Sequence, residues 1–398
     1  MFKLFKNVKG DKVIWAVVIA LSIFSLLAVY SSTGTLAYKY QSGNTEYYML
    51  KHFGILMFGF FLMYVAHLIK YTYYSRISII ALVIAVPLLL FTLVSGTNIN
   101  ETNRWLTLPI VNLTFQTSDF AKIALIMFVA RLLAKKQDQI KSFKEAFVPV
   151  MIPIAIICGL IFPANFSTSA LLFSTCLLLM FIGRINLKYI FSLIGVLVLV
   201  GILFVTLIYN YPNVGRFGTW KNRIENFRHN DGEGNYQADQ SKIAIASGKI
   251  IGKFPGNSTQ RNYLPHPYSD FIYAIIIEEY GIIGGLFILL LYLILLYRGM
   301  RIASRSSGTF AALLTIGVCF TLVFQAIINM AVAVGIFPVT GQPLPLISMG
   351  GTSIWFTSIA IGIMLSVSNE IESDVEVEDK TEEKNIISEP VNNVSPAV

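Results

Sequence analysis

Charged residues are scarce in this sequence, and so are cysteine and histidine. Asp, Glu, Lys and Arg make up 13% of the 398 residues, whereas apolar residues make up 55%. Because soluble globular domains carry about 25% charged residues, this balance excludes an ordinary soluble domain. The three cysteines lie in apolar runs, where cysteine behaves as a small hydrophobic residue, and the four histidines are scattered. Neither disulfide nor metal-ligand spacing is present, so no metal-binding residues are predicted.

Motifs of soluble enzymes are missing as well. The sequence has no Walker loop or dinucleotide-binding glycine loop in context, and no GxSxG elbow. Its net charge of +8 gives no support for nucleic-acid binding, because the placement of basic residues along a membrane protein explains that charge. No nucleic acid is therefore expected among the partners.

Long apolar runs dominate what is present. A helix needs roughly 20 apolar residues to cross the hydrocarbon core of a bilayer. The sequence predicts ten such spans, near 13–32, 51–69, 77–95, 119–134, 147–162, 167–183, 187–209, 270–297, 309–333 and 350–368. Only 183–188 separates the sixth span from the seventh, so a count of nine or eleven also fits. The expected fold is an all-α polytopic membrane protein, with its membrane domain over 1–368.

Basic residues set the predicted orientation. If the N-terminus is cytoplasmic, most Lys and Arg lie in inside loops, whereas the short outside loops hold Lys39, Lys51 and Arg104. This positive-inside pattern predicts that both termini are cytoplasmic. No small-residue cleavage site follows the first apolar run, so a cleaved signal peptide is not expected. Residues 369–398 are acidic and carry Pro, Asn and Ser, and a disordered cytoplasmic tail is predicted there.

The one long extramembrane segment precedes the eighth span, at about 210–269, and it holds more Lys and Arg than Asp and Glu. Topology does not explain cations on an outside loop, so this segment suits an anionic ligand such as a phosphate-bearing lipid. A merely solvated loop is the alternative. Within it, ADQSKIAIASGKIIGK mixes apolar and basic positions in a pattern typical of a helix on a membrane surface.

Several ionisable residues lie in or beside the predicted spans. Asp270 opens the eighth span at its outer mouth and is either a helix cap or a functional carboxylate. Glu278 and Glu279 lie deeper, and structural anchoring is expected for them. At the start of the fourth span, Asp119 and Lys122 share a helix face and are close enough to pair. A purely structural ion pair is the alternative for these two.

An uncharged segment, GIFPVTGQPLPLISMGGTS (335–353), joins the last two spans. Its prolines and glycines cannot continue a membrane helix, and irregular backbone at that depth must be buried in protein or line a cavity. A re-entrant loop is therefore predicted, with hydroxyls such as those of Thr340 and Ser348 directed into a cavity. Elsewhere, Arg104 beside Trp105 is either an interfacial anchor or a phosphate contact.

Taken together, these stretches resemble the SEDS family (shape, elongation, division and sporulation). The resemblance covers nearly the whole chain. It rests on motifs in family order: VYSS at 29–32, NRW at 103–105, QTSDFAK at 116–122, QADQSKIAIASG at 237–248, GNSTQ at 256–260, SDFIYAIIIEEYG at 269–281 and PVTGQPLPLISMGGTS at 338–353. It implies a SEDS-type, multi-pass protein of the bacterial plasma (inner) membrane, with its active site at the outer face.

The resemblance also implies an activity. Family members are peptidoglycan glycosyltransferases that polymerise lipid II, a disaccharide-pentapeptide carried on undecaprenyl diphosphate. By this resemblance Asp270 is the catalytic general base, and the donor anomeric carbon is inverted. The residues expected to bind substrate are Arg104, Asp119, Lys122, Gln240, Ser241, Ser269, Thr340 and Ser348. A divalent cation (Mg or Mn) is the one cofactor expected. The expected partners are lipid II, a class B penicillin-binding protein transpeptidase and other divisome proteins.

The chain departs from the family pattern at three motifs. It has PHPYSDF where relatives often have PExHTDF, so His266 and Tyr268 cannot be given a family role. ANFSTS at 164–169 replaces PDLGTA, which puts Asn165 in place of an aspartate. Asp119 stands where the family has glutamate, which shortens the reach to Lys122. Asp270 itself keeps its place in the motif.

Other functions fit the same features. A transporter that flips lipid II across the membrane would use a similar cavity and similar acidic residues. A scaffold that recruits a transpeptidase is a third interpretation, with the acidic tail as a docking element. Within the family, the extended charged tail favours a division-type polymerase that builds the septal wall over an elongation-type polymerase.

Overall fold

A computed structural model describes residues 10–99, 102–108, 113–211 and 236–388, together with Gly218, Lys221 and Glu225. Most of these residues are helical. The α-helices are α1 (Lys12–Ser32), α2 (Gly34–Tyr40), α3 (Thr45–Leu68), α4 (Tyr71–Ser95), α5 (Thr117–Lys135), α6 (Val148–Ile161), α7 (Phe166–Ile182), α8 (Leu187–Asn210), α9 (Tyr236–Gly248), α10 (Ile272–Arg305), α11 (Thr309–Ala333) and α12 (Thr352–Ser388). Short 3-10 turns lie at Gln137–Gln139 and Gln260–Asn262, and a π-helical turn at Phe143–Phe147 leads into α6.

Side-chain caps mark where several helices begin. Asp11 precedes α1, and its Oδ1 accepts hydrogen bonds from the backbone N–H groups of Val13 (2.9 Å) and Ile14 (3.2 Å). Asn44 caps α3 and Asn165 caps α7 in the same way. These caps satisfy N–H groups that have no acceptor inside the helix, so each apolar segment starts at a defined residue.

Eight helical segments in the described ranges are long and apolar enough to cross a membrane: α1, α3, α4, Phe143–Ile161, α8, α10, α11 and the first part of α12, Thr352–Glu372. The predicted fold class, a helical multi-pass membrane protein, is confirmed at this level. The two remaining predicted spans, 119–134 and 167–183, correspond to α5 and α7. Helix α7 is apolar but shorter than the eight, and α5 is not among them, so the count of ten stays a prediction.

A small sheet lies between α4 and α5. Strands β1 (Thr97–Ile99), β2 (Thr102–Leu108) and β3 (Leu113–Gln116) form an antiparallel sheet in the order β1-β2-β3. In its register Trp105 lies opposite Gln116 and Leu106 opposite Phe115. The all-α prediction is wrong for this segment, because Thr, Trp, Leu and Phe in alternation favour paired strands.

Helix α10 is broken at Gly281, which has φ 70° and ψ −175°. Such a conformation favours glycine. The turn that follows α9 crosses α10 at this point. A Cβ on Gly281 would lie 2.0 Å from the carbonyl oxygen of Ile250, and a Cβ on Gly252 would lie 2.2 Å from that of Glu279. The predicted span 270–297 therefore consists of two helical pieces joined where two backbones touch.

Helix α12 extends to Ser388, past residue 368, where the sequence predicts a disordered tail to begin. The segment from 369 to 388 contains neither Pro nor Gly and is rich in Glu and Lys, which favour helix. The first proline beyond it is Pro390. Helix α12 thus continues past residue 368, and the domain boundary and disordered tail stay predictions.

Helix α11 lies at the centre of the bundle. It packs against α5, α7, α10 and α12, while α12 also packs along α3 and α10 along α1. Helix α8 is different, because Ile190 and Ile208 are its only buried residues. The rest of its apolar surface faces outward, as expected for a helix in contact with lipid. The central position of α11 matters for function, since its side chains reach the segments on either side of it.

Candidate active site at the turn before helix α10

Asp270 lies in a turn that ends just before α10. The helix begins at Ile272, and the residue at its N-cap position, Phe271, makes no side-chain cap. The Oδ1 atom of Asp270 accepts a hydrogen bond from the Ser269 hydroxyl at 2.9 Å. Asp270 as a whole is half-buried.

The re-entrant loop, residues 338–351, lies directly against this turn. The Ser348 hydroxyl donates to the Ser269 carbonyl at 2.7 Å, and the Met349 N–H donates to the Tyr268 carbonyl at 2.9 Å. Gly341 has φ +66°, and a Cβ at this position would lie 3.5 Å from Asp270 Oδ2. A side chain at position 341 would therefore touch the Asp270 carboxylate.

Side chains from three helices satisfy the carbonyl groups of the loop. Asn329 donates to Gln342 O at 2.7 Å and Gln325 donates to Pro343 O at 2.9 Å, both from α11. Further along, the Tyr292 hydroxyl donates to Pro345 O and the Ser25 hydroxyl donates to Ile347 O. The prediction of a buried, non-helical loop is confirmed, because irregular backbone inside a membrane protein needs such partners.

Asp119 and Lys122 form an ion pair beneath the loop. Lys122 Nζ lies 2.7 Å from Asp119 Oδ1, so the predicted pairing across one turn of α5 is confirmed. Both residues are buried, with 3% and 8% of their surface exposed. Lys122 also donates to Gln325 Oε1 at 3.2 Å. Their predicted contact with substrate stays a prediction.

A cavity of about 470 Å³ opens beside the loop, between α7, α8 and α11. Its lining is mainly apolar and includes Phe204 and Phe337. Thr340 and Gln342, the two neighbours of Gly341, also line it, and so does Asn165. The cavity thus reaches the residues on either side of Gly341. Of the predicted residues, Ser269 and Ser348 lie together at the Asp270 turn, and Thr340 lines the cavity.

Other predicted residues lie apart from this group. The Ser241 hydroxyl is buried and donates to Ala333 O at 2.7 Å, which ties α9 to the end of α11. Gln240 precedes it on the same helix and is half-buried. Arg104 lies in β2, and its side chain is outside the described part of the chain. Roles in substrate binding for these three residues remain predictions.

The two glutamates in α10 anchor the segment 253–261, as the sequence predicts. Glu278 is fully buried, and its carboxylate accepts hydrogen bonds from Lys253 Nζ (2.7 Å), the Ser258 hydroxyl (2.5 Å) and the Thr259 N–H (3.1 Å). Glu279 accepts from the Ser31 hydroxyl of α1. Glu278 thus balances one cation of the basic segment, Lys253, so that this lysine is not simply a solvated charge.

The structure describes some of the other basic residues of the long segment and not others. Lys242 lies 3.6 Å from Asp239 in a half-exposed ion pair. Arg216, Arg223 and Arg228 lie outside the described residues. The prediction that this segment binds an anion is therefore not tested by the geometry.

Tyr268 adds a local feature beside Asp270. Its hydroxyl lies 3.1 Å from His266 Nδ1. Burial raises the pKa of Tyr268, and the nearby hydroxyls of Tyr48 and Tyr40 and the carboxylate of Asp270 raise it further. A raised pKa keeps the phenol neutral at physiological pH, so Tyr268 acts here as a polar, uncharged neighbour of the carboxylate.

Sequence reasoning missed three buried amides: Gln325, Asn329 and Gln342. Gln342 donates to the Thr168 hydroxyl at 2.7 Å, which links the loop to α7. A signal was available, because Gln325 and Asn329 are polar residues four apart in an otherwise apolar span, and polar residues at membrane depth usually have a partner.

The sequence is similar to a known protein family and to several of its members. The family model named for FtsW, RodA and SpoVE, described as "Cell cycle protein", matches residues 11–373. A probable peptidoglycan glycosyltransferase FtsW from Trichlorobacter lovleyi is 31% identical over 371 residues, which is 92% of this chain and 95% of that protein. The stage V sporulation protein E of Bacillus subtilis is 30% identical over 91% of this chain and 98% of its own length.

Solved structures share the fold. A chain from a study of how a peptidoglycan synthase complex coordinates polymerization and crosslinking aligns with a TM-score of 0.74 at 20% identity, over 92% of this chain and 99% of its own. The rod shape determining protein RodA of Thermus thermophilus aligns with a TM-score of 0.65 at 21% identity, over 92% of this chain and 98% of its own. Together with the match over residues 11–373, these similarities establish that the chain belongs to the FtsW, RodA and SpoVE family of cell cycle proteins.

Proposed function

We propose that this protein is a peptidoglycan glycosyltransferase that polymerises lipid II into glycan strands during septal wall synthesis. The observation that carries the proposal is the position of Asp270, a half-buried residue beside Gly341 of the re-entrant loop, whose neighbours Thr340 and Gln342 line an apolar cavity. Curated relatives with about 30% identity bear the name peptidoglycan glycosyltransferase, which supports the same activity. The proposal includes ten spans, cytoplasmic termini and a site at the outer face of the plasma membrane.

Asp270 is the general base. It removes the proton from the 4-hydroxyl of the acceptor sugar while that oxygen forms a bond to the anomeric carbon of the donor. The bond from this carbon to the diphosphate oxygen breaks, and undecaprenyl diphosphate leaves with the electron pair. Attack from the face opposite the leaving group converts the α-linkage to β. General-base assistance of this kind contributes about 10²–10⁴-fold to rate.

The leaving diphosphate needs charge stabilisation more than it needs a proton. Arg104 and the basic residues of the long segment are the proposed sources. A divalent cation would add positive charge there when bound. Within the described ranges there is no group of three or more His, Cys, Asp or Glu side chains that could hold a metal ion. If such a cation binds, Asp270 would be the carboxylate that helps to hold it.

The cavity suits the lipid part of the substrate. Its volume of about 470 Å³ and its apolar lining can take a stretch of prenyl chain. Because α8 exposes most of its surface, the cavity borders the region where lipid would lie. The carrier can then stay in the bilayer while the sugars reach Asp270. A class B penicillin-binding protein transpeptidase is the proposed partner, supported by the peptidoglycan synthase complex among the similar structures.

Purified protein and fluorescent lipid II in detergent micelles test this function. Detergent micelles do not separate two compartments, so a flippase has no membrane across which to move lipid II and makes no polymer. If the protein is a polymerase, we expect glycan ladders on a gel that disappear after muramidase treatment. Absence of polymer, even with the cognate transpeptidase present, would favour the transporter or scaffold interpretation.

A further inference from the structure

Two buried amides on α11 connect the catalytic turn to the re-entrant loop. The Asn329 side-chain NH₂ group donates to Asp270 O at 2.9 Å and to Gln342 O at 2.7 Å. Gln325 is one helical turn earlier on the same face and donates to Pro343 O at 2.9 Å. Asn329 thus holds the backbone of the proposed base and the backbone of the loop with the same nitrogen atom.

The orientation of Gln325 depends on Lys122. An ammonium group can donate hydrogen bonds but cannot accept them. Lys122 donates to Gln325 Oε1 at 3.2 Å, so the amide must direct its oxygen to Lys122 and its nitrogen to the Pro343 carbonyl. Asp119, 2.7 Å away, holds the lysine in place. The chain of contacts runs from the ion pair through Gln325 to the loop.

The surroundings of Lys122 leave little room for a substrate. The cavity that Asp119, Lys122, Gln325 and Thr357 line has a volume of about 30 Å³. That volume holds about one or two water molecules and is too small for a diphosphate. Asp119 Oδ2 faces no hydrogen-bond partner within the described ranges and is buried, which suits a bound water. Lys122 itself is only 8% exposed.

We propose that Gln325 and Asn329 are positioning residues for Asp270, and that the Asp119–Lys122 pair acts through Gln325 and does not touch the diphosphate. The expected effect on kcat rests on the proposed function, whereas the expected effect on the order of the loop does not. Without Lys122 the Gln325 amide loses one of the two hydrogen bonds that hold it, so it fixes the Pro343 carbonyl less firmly. The loop then loses its fixed distance from Asp270.

Hydrogen–deuterium exchange of the full chain in detergent tests the structural step without substrate. Lys122→Met and Gln325→Met should each speed exchange in 338–351 and in 266–271 relative to wild type. Gln137→Met is the matched control, because Gln137 also donates to a carbonyl, Leu133 O, but at the other end of α5. Unchanged exchange in 338–351 for Lys122→Met would overturn the proposal, because a residue that only binds substrate does not order the free loop.

Kinetics on lipid II test the catalytic step. Lys122→Met and Gln325→Met should each lower kcat about tenfold or more with KM within about twofold of wild type, and the double variant should lose no more than the worse single variant. Lys122→Arg should restore most of kcat, because it keeps a cationic donor. A raised KM in Lys122→Met, or losses that multiply in the double variant, would show direct substrate binding and overturn the proposal.

The variant Gln325→Glu separates a loss of activity from a loss of folded protein. It keeps an oxygen for Lys122 but removes the donor to Pro343, so it should lower the thermal midpoint, still be recovered as folded protein, and lose kcat. Full activity in this variant would contradict the proposal. If wild type made no polymer, the proposed function would fail, while the exchange experiment would still decide the positioning role.

Discussion

Asp270 Oδ2 lies 3.5 Å from the position that a Cβ would take on Gly341, so any side chain at position 341 would touch the proposed base. Gly341 belongs to a loop held by hydrogen bonds from α1, α10 and α11. It also has a positive φ of +66°, which L-residues rarely adopt. Loop conformation and the surroundings of the proposed base are therefore coupled at this one glycine.

Replacing Gly341 by alanine should lower activity more than it lowers stability. An alanine at this φ adds strain of about 1–2 kcal/mol, which the loop can relieve by moving relative to Asp270. Polymerisation of lipid II should slow severalfold while the yield of folded protein is kept. Gly159→Ala in α6 is the control, because in the described part of the chain no atom outside its own helical turns lies within 4 Å of the added Cβ. Equal rates for both variants would contradict the coupling.

Lys253→Met should destabilise the protein through Glu278. The buried carboxylate would lose its cation and keep only hydroxyl and backbone donors, at a cost of about 1–3 kcal/mol. Thermal unfolding in one fixed detergent measures the loss. Lys242→Met removes a cation from the half-exposed pair with Asp239 and should cost at most about 0.5 kcal/mol. A Lys253→Met midpoint no lower than that of Lys242→Met would contradict the anchoring role of Glu278.

Gly281→Ala should prevent normal folding. The added Cβ would lie 2.0 Å from Ile250 O, and the positive φ adds strain, so the turn after α9 would be forced off α10. The expected result is little or no monodisperse protein on size-exclusion chromatography in detergent. Gly201→Ala in α8 places its Cβ more than 4 Å from every described atom outside its own helical turns, so it should behave as wild type. Normal yield of Gly281→Ala would show that the crossing of the two backbones is not required.

Features that depend on local residue type were predictable from the sequence. Asp119 and Lys122 are three apart on a helix, so their pairing follows from helix geometry alone. The prolines and glycines of 338–351 exclude a membrane helix, so burial of that loop follows as well. Glu278 as an anchor followed from the cost of a carboxylate at that depth.

Features that depend on which elements meet in space were not predictable. The residues around Gln325 and Asn329 in the sequence do not indicate that the loop and the Asp270 turn lie on the same side of α11 as these two amides. The break at Gly281 results from the chain that crosses it, since a single glycine is tolerated in many helices. Strands β1 to β3 form because three short segments pair with one another, and periodicity in such short pieces is weak.

The rate of lipid II polymerisation by Asp270→Asn tests the central claim most directly. Asparagine keeps the size of the side chain and an oxygen for the Ser269 hydroxyl but cannot accept the proton from the acceptor sugar. With its transpeptidase partner present, this variant should fold normally and polymerise at least about 10²-fold more slowly than wild type, while Asp138→Asn, at an exposed residue, should be unaffected. Glycan made by Asp270→Asn at the wild-type rate would contradict the role of Asp270 as the base.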